Sequence, residues 1–588
     1  MKKIIEIISE EVQMAFKKAG YSEEYGKVTL SNRPDLCQYQ CNGALIAAKV
    51  CKKAPILIAR EVNVILEKSS LFENVIAVMP GFINITLNNE SIVDYINRMI
   101  SDRKFGCEEV GRGKNIILDY GGPNVAKPLH VGHLRTAIIG ESLKRIGKFM
   151  GCEILGDVHL GDWGLQIGLI IAEIKKRSPD LVYFDTEYDG EYPKEPPFTI
   201  GELEEIYPAA SSYAKVNDAF MDEAKQITCL FQQGNKGYVA LWKHILNVSI
   251  ADLKKNYKKL NVYFDLWKKE SDAQIYIPDM IKEFTDKGFA VMSKGALVVE
   301  VKEESDTKEI PPCILVKSDG ATLYSTTDLA TIVERMKLYE PDEIIYVVDK
   351  RQEMHFEQVF RTAKKTKIVK EETKLTFLGF GTMNGHDGKP FKTRDGGVMR
   401  LENLIKEVNE AIYQKAILNK EINEVEARNI SEKIGLAALK YADLSNHISK
   451  DYIFDVERFT AFEGNTGPYI LYTVVRINSI LKKINTKNSI KTINSVRVAE
   501  NNSELNLMLK IIQFNEIIMI SYEEYAPYKI CQYIYELANE FNRFYHENRI
   551  LSEIDKSKQL SWIALVTLTK DILTQSLDLL GIETPERM

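Results

Sequence analysis

The chain has few cysteines and no pattern among them. The eight thiols, at 37, 41, 51, 107, 152, 229, 313 and 531, contain no Cys-x-x-Cys pair and lie far from most histidines. That argues against a zinc site or a disulfide framework and fits a reducing compartment. Apolar runs of membrane-spanning length are missing, and Glu6, Glu10 and Glu11 interrupt the segment after Met1-Lys2-Lys3 where a signal core would have to be unbroken. A cytoplasmic protein is expected. Positive charge is not in excess, since 77 Lys and Arg stand against 83 Asp and Glu for a net charge of -6. A polyanionic partner would therefore have to meet a local basic surface, and composition neither supports nor excludes one. There are no internal repeats or low-complexity tracts.

What is present is the balance of a soluble globular protein, 45% hydrophobic and 27% charged, with 588 residues, enough for roughly three to four domains. Residues 3 to 19 place Ile4, Ile7, Ile8, Val12 and Phe16 at helical spacing, and Val75, Ile76, Val78, Ile83 and Ile85 read as strands around the Pro80-Gly81 turn. A small α+β domain over 1–110 is the expectation. After the linker-like Gly111-Arg112-Gly113-Lys114 the pattern alternates: strand 116–120, helix 132–150, strand 153–158 and, much later, the apolar strand Ile344-Ile345-Tyr346-Val347-Val348. Short buried strands separated by helices predict a doubly wound parallel sheet, which binds ligands beyond the carboxyl ends of its strands. This domain is expected over 111–400, with insertions at about 183–260 and 263–320. The stretch 183–212, rich in acidic residues, Pro, Gly and Tyr, reads as a surface insertion followed by helices to about 260. From 402 the pattern is almost entirely helical, with amphipathic segments around 427–441, 467–483, 505–519 and 526–547. A connecting region over 401–450 and a helix bundle over 451–588 are expected. The fold class is thus multidomain α/β plus all-α, with a Rossmann-type parallel sheet at its centre.

Two segments carry chemistry. Pro123-Asn124-Val125-Ala126-Lys127-Pro128-Leu129-His130-Val131-Gly132-His133 lies between the first sheet strand and the following helix. Two imidazoles flanking a small Gly at a helix N-terminus can approach phosphate oxygens where the helix dipole favours negative charge. The bland alternative is that His130 and His133 only cap and pack the turn. The second segment, Asp387-Gly388-Lys389-Pro390-Phe391-Lys392-Thr393-Arg394-Asp395-Gly396-Gly397, is a glycine-rich cationic loop before a helix starting near Leu401. It could close over a triphosphate, with Lys392 and Arg394 neutralising charge as pyrophosphate leaves.

The first segment resembles the HIGH signature of class I aminoacyl-tRNA synthetases and, in its extended form, that of the arginyl-tRNA synthetases. Leu134-Arg135-Thr136, Gly161-Asp162-Trp163-Gly164-Leu165-Gln166, Pro80-Gly81-Phe82-Ile83-Asn84 and Gly464-Asn465-Thr466-Gly467-Pro468-Tyr469 extend the resemblance along nearly the whole chain. By position the second segment is similar to the KMSKS loop, with Arg394 where the second lysine is expected. Arginyl enzymes often depart in this way, and a lysine just before HIGH, here Lys127, is thought to compensate.

Arginine recognition calls for carboxylates and oriented acceptors around a planar five-donor guanidinium. Tyr324 and Asp328 lie one helical turn apart, Asp119 ends the first strand, and Gln352 follows strand 344–349. For Tyr324 and Asp328 the bland alternative is a helix cap with an aromatic neighbour. The resemblance implies an arginine site of Asp119, Gly122, Pro123, Asn124, His133, Tyr324, Asp328 and Gln352. It implies an ATP site of His130, Gly132, His133, Gly161, Asp162 and Lys392, with His130, His133, Lys127, Lys392 and Arg394 stabilising the transition state. ATP with Mg2+ is the expected co-substrate, with no resident metal. The expected partners are L-arginine and tRNA(Arg), bound before activation, and the expected state is a monomer that meets no membrane. The helical domain would read the anticodon, with Tyr469, Tyr472, Arg476, Phe541, Arg543, Phe544, Tyr545 and His546 as stacking candidates, and the N-terminal domain would touch the tRNA elbow. A nucleotidyltransferase would leave the long helical C-terminus unexplained. A non-catalytic tRNA-binding relative sits poorly with intact His130, His133, Asn124, Tyr324, Asp328 and Gln352. Another class I synthetase, the glutamyl or cysteinyl enzyme, sits poorly with a carboxylate-rich pocket and no zinc-ligand set.

Overall fold

The computed structural model describes the chain except residues 128, 386, 390–398, 419–421, 488–494 and 587–588 and the side chains of 485–487. The chain divides into two compact units. One holds residues 1–110, 462–578 and 583–588; the other holds 111–461 and 579–582.

In the first unit, helix Ile4–Lys18 buries Ile4, Ile8, Val12, Ala15 and Phe16, one stripe at i, i+4 spacing. A four-stranded antiparallel sheet runs in the order Val28–Leu30, Tyr39–Cys41, Phe82–Leu87, Phe72–Val78. Its two short strands escape the sequence reading because three-residue runs show no period. The C-terminal part of this unit consists of helices Gly467–Lys487, Asn502–Ile511, Phe514–Glu523, Pro527–Glu547 and Lys556–Leu579. Asn515 ties it to the N-terminal part, donating to the Tyr95 hydroxyl at 2.8 Å. Phe541 and Phe544 are fully buried among the apolar positions of helix Pro527–Glu547, so these two stacking candidates are core residues. Tyr472 remains 42% exposed beside Arg476, and Arg543 and His546 are exposed.

The second unit is built on four parallel strands in the order Lys374–Phe380, Glu343–Asp349, Asn115–Tyr120, Glu153–Asp157. The chain enters at Asn115–Tyr120, moves outward to Glu153–Asp157, then returns past its start to the other two strands. The reversal falls between Asn115–Tyr120 and Glu343–Asp349, where helices diverge and a cleft opens at the carboxyl ends. Helix Val131–Phe149 leaves that point and is pinned to both strands by one side chain. The Thr136 hydroxyl donates to the Val347 carbonyl at 2.7 Å and accepts from the Gly121 N–H at 2.9 Å. The edge strand Lys374–Phe380 was not read from the sequence, because its only fully buried residue is Phe380 and no apolar run marks it.

Two regions read as insertions are more ordered than expected. Residues 200–214 are a helix, not an irregular surface stretch. Thr199 and Glu202 form a capping box, and Leu203, Ile206, Ala210 and Ala214 are buried at helical spacing despite Pro208. Residues 264–270 run alongside the continuation of strand Glu153–Asp157, with Val158 N–H on Leu266 O at 3.2 Å and Leu160 N–H on Lys268 O at 2.8 Å. Beyond them, helix Ile277–Asp286 and a three-stranded antiparallel sheet share one hydrophobic core with the parallel sheet, through Phe284, Val299 and Leu315 against Ile117 and Ile344.

Arg135 joins the His helix to the helical region of this unit. It is 1% exposed. Its Nε donates to Asp443 at 3.1 Å, and its other nitrogens donate to the carbonyls of Gly381, Lys450 and Ile448. Removing it would leave Asp443 buried without its counter-charge. Arg135→Met is expected to destabilise this unit by about 3–5 kcal/mol, read as a lower denaturant midpoint. An unchanged midpoint would mean that the apolar packing around helix Glu424–Leu444 holds the region without the ion pair.

Candidate active site

The segment after strand Asn115–Tyr120 is clamped against residues 159–161. Val125 N–H donates to Gly161 O at 3.0 Å, and Gly161 N–H to Pro123 O at 3.2 Å. A Cβ on Gly161 would lie 2.0 Å from Asn124 Oδ1, and one on Gly122 would lie 2.4 Å from His159 O. Gly122 thus requires glycine for close backbone approach, whereas at Gly161 the obstacle is the Asn124 side chain. Asn124 is exposed at the carboxyl edge of the sheet.

His130 is the N-cap of helix Val131–Phe149. Its Nδ1 accepts the Gly132 N–H at 3.0 Å, while His133 Nδ1 accepts the His130 N–H at 3.1 Å. The two rings lie 3.8 Å apart, centroid to centroid, at 30°. Each imidazole thus caps the helix through Nδ1, which leaves Nε2–H as its donor. Burial, with the charge of Lys127, lowers the His130 pKa; burial, with His130 and Lys127, pushes that of His133 down to about 3. Both rings are neutral donors at physiological pH. The capping and phosphate-facing readings of this motif are compatible, because each ring uses a different nitrogen.

At the start of the glycine-rich loop, Gly385 N–H donates to Lys389 O at 2.9 Å, and after it residues 399–401 lie beside the histidines. Lys392 and Arg394 lie outside the described residues. On the return, Val131 N–H donates to Met399 O at 3.1 Å, Leu401 N–H donates to Leu129 O at 2.9 Å, and His130 and Arg400 form an antiparallel bridge. The base of the loop is therefore fastened to the His segment.

Carboxylates gather on the other side of the cleft. Asp119 and Asp157, on neighbouring strands, both accept from Arg335, at 2.5 and 2.8 Å. Burial pushes the Asp119 carboxyl up against the pull of Arg335. At Asp157 burial acts in the same direction, but Arg335, His159 and the Lys268 N–H outweigh it and hold the carboxyl below its ordinary range. Asp328 Oδ2 lies 2.6 Å from His355 Nε2. Tyr324, the first residue of helix Tyr324–Tyr339, is 75% exposed. Gln352 is exposed on the turn after strand Glu343–Asp349. The Asp162 carboxylate accepts both the N–H and the hydroxyl of Ser271, at 3.0 and 2.7 Å. Its side chain therefore fixes a neighbouring turn.

Sequence reasoning missed Glu270, which that turn carries. Burial raises its carboxyl to about 7; His159 lowers it, and Asp162 and Asp328 raise it further. It also acts on the Tyr324 hydroxyl. No motif marks Glu270. It comes within range of Asp162 and Asp328 because residues 264–270 run beside the sheet, a pairing between distant parts of the chain.

This arrangement, neutral imidazole donors at the switch point of a parallel sheet beside a carboxylate-lined recess, is matched by known proteins. The family described as tRNA synthetases class I (R), catalytic domain, matches residues 95–456. The catalytic unit is thus that of a class I aminoacyl-tRNA synthetase. The DALR anticodon binding domain matches residues 470–588 and the arginyl tRNA synthetase N terminal domain residues 2–87. The arginine–tRNA ligase of Agathobacter rectalis is 58% identical and that of Alkaliphilus oremlandii 56%, each over 100% of this chain and 100% of its own. The crystal structure of Plasmodium falciparum arginyl-tRNA synthetase superposes with a TM-score of 0.82 at 25% identity, covering 100% of both chains. The chain belongs to the arginyl-tRNA synthetases, ligases that use ATP to join arginine to tRNA. Among the described residues no helix is long and apolar enough to cross a membrane.

Glu270 ionises near neutrality, so a cation that pairs with it binds more tightly as pH rises. Arginine affinity is expected to increase between about pH 6 and pH 8, by at most roughly tenfold per unit, and then to level off. Glu270→Gln should remove most of that rise in calorimetric titrations. The same pH dependence in the variant would mean that Glu270 does not face the ligand.

Proposed function

We propose that the recess formed by Asp119, Glu270, Tyr324 and Asp328 takes the substrate arginine, with Asn124, His133, Gln352 and the backbone at Gly122 and Pro123 completing the site. The observation that carries this reading is geometric: helix Tyr324–Tyr339 carries Tyr324 and Asp328 together with Arg335, which pairs with Asp119 at the carboxyl end of its strand. Carboxylates around a guanidinium make charge-assisted, bidentate contacts. A neutral side chain, or an ammonium of different shape, would leave buried carboxylates unpaired. His355 supports this by orienting the Asp328 carboxylate from behind.

In the first step the arginine carboxylate attacks the α-phosphorus of ATP, forming arginyl-adenylate and releasing pyrophosphate. His130 and His133 donate from Nε2 to phosphate oxygens, and Lys127, Lys392 and Arg394 supply positive charge as the leaving group departs. The imidazoles are neutral and already bonded through Nδ1, so they act as fixed donors rather than as bases or nucleophiles. Gly132 and Gly161 let the nucleotide approach the backbone, and Asp162 holds the 160–162 segment through Ser271. Magnesium enters as the counter-ion of the ATP phosphates. Among the described residues no cluster of three or more His, Cys, Asp or Glu is arranged to hold an ion. In the second step the 2′-hydroxyl of the terminal adenosine of tRNA(Arg) attacks the adenylate carbonyl and AMP leaves. The enzyme works as a cytoplasmic monomer and binds tRNA before activation. Residues 1–110 touch the tRNA elbow. Tyr469, Tyr472 and Arg476, braced by Asn539 and Asn542, face the anticodon together with Arg543, Tyr545 and His546.

Exchange of pyrophosphate into ATP is expected with arginine alone among the twenty amino acids, and only when tRNA is present. Exchange with another amino acid would overturn the pocket assignment, and tRNA-independent exchange would overturn the order of binding. Asp328→Asn is expected to weaken arginine binding by ~1.5–3 kcal/mol with the ATP KM unchanged; unaltered arginine affinity would remove Asp328 from the pocket.

A further inference from the structure

The helix Ile200–Ala214 lies against both strands of the His130–Arg400 bridge. Tyr207 presents its ring to Lys127, whose Nζ sits 4.5 Å from the ring centroid. One turn earlier, Glu204 Oε2 accepts from Arg400 Nη1 at 2.8 Å. Glu204 and Tyr207 stand at i and i+3, so a single helix face holds one residue just before the first histidine and another just after the glycine-rich loop. Leu203, Ile206 and Ala210 anchor the adjoining face in the core of the same unit, and Thr199 caps the start of the helix. Beside burial and Glu270, Tyr207 also acts to raise the pKa of the Tyr324 hydroxyl.

Lys127 is a half-buried lysine on a long flexible stem that follows a residue in left-handed backbone, Ala126 with φ 56°. A free lysine side chain samples many rotamers, and ordering it for catalysis carries an entropic cost of up to about 2 kcal/mol. The face of an aromatic ring attracts an ammonium without neutralising it, as a carboxylate would. A ring is thus a suitable support for a cation that must keep its full charge for a phosphate.

We propose that Tyr207 is a positioning residue for Lys127: its ring face holds the lysine ammonium at the phosphate side of the cleft, which makes the helix Ile200–Ala214 a working part of the activation site. This rests on the reading of Lys127 as a charge stabiliser in adenylate formation. The preorganisation speeds ATP use and leaves arginine recognition to the carboxylates across the cleft.

The test is arginine-dependent pyrophosphate exchange by the full-length enzyme with tRNA present. Tyr207→Leu should lower kcat/KM for ATP by about three- to tenfold, with the arginine KM within twofold of wild type. Tyr207→Phe, which keeps the ring, should stay near wild type. Placing increasingly fluorinated phenylalanines at 207 keeps the shape while stripping the ring of its negative face, so it separates the electrostatic effect from folding. Activity toward ATP should fall stepwise with fluorination. Tyr207→Leu should add nothing in a Lys127→Met background. Equal losses for phenylalanine and leucine, no trend with fluorination, or additive effects with Lys127→Met would each overturn the proposal. If Lys127→Met itself leaves kcat/KM for ATP unchanged, the prior reading of Lys127 fails. A loss there with an unaffected Tyr207→Leu refutes only the positioning role.

Discussion

Parallel strands deliver all their carboxyl ends to one edge, so side chains of like charge placed there to meet a ligand also meet each other. Asp119 and Asp157 are in this position, on adjacent strands and largely out of water. Two such carboxylates without a cation would not both stay ionised. Arg335 resolves the conflict by reaching both. It comes from helix Tyr324–Tyr339, which also carries Asp328 about two turns and Tyr324 about three turns before Arg335. The helix that carries Tyr324 and Asp328 thus also supplies the counter-charge for Asp119 and Asp157. Asp157 in turn accepts the Lys268 N–H at 3.2 Å, so the same charge balance seats the stretch that ends in Glu270.

The opposite wall follows a different rule. The imidazoles do their structural work through Nδ1, closing the first turn of a helix, and that fixes the tautomer that leaves Nε2–H as donor. Burial then holds them neutral. Charge on this side comes from lysine and arginine side chains, of which Lys127 stacks on Tyr207 and Arg400 pairs with Glu204. The site therefore separates its tasks in space. Negative groups with a buried arginine beneath them form one wall, and neutral donors with cations at the rim form the other. Such an arrangement suits the proposed binding of arginine, a zwitterion whose side chain and carboxylate need opposite partners.

The alternation of strand and helix, the helix entered at His130, and the placement of Asp119, Tyr324 and Asp328 at strand ends and one helix face were legible from spacing alone. Those features rest on periodicity and on hydrogen bonds within a turn, which neighbouring residues specify. The helix Ile200–Ala214 was not, since Pro208 and its acidic flanks imitate a loop, and burial of Leu203, Ile206 and Ala210 overrides that local signal. The edge strand Lys374–Phe380 lacked an apolar run for a related reason, as it takes its order from its partner Glu343–Asp349.

Glu270, His355, Arg335 and Tyr207 carry no signature in the chain around them. Each meets partners distant in sequence: Arg335 meets Asp119, 216 residues away, His355 meets Asp328, 27 residues away, Tyr207 meets Lys127, and Glu270 is acted on by Asp162 and Asp328. The linear order of residues was enough to set the class of fold, the phosphate-facing motif and the family. It could not set the charge balance of the pocket or the support of its lysine, because desolvation and Coulomb interactions act through space and exist only once distant segments are packed together.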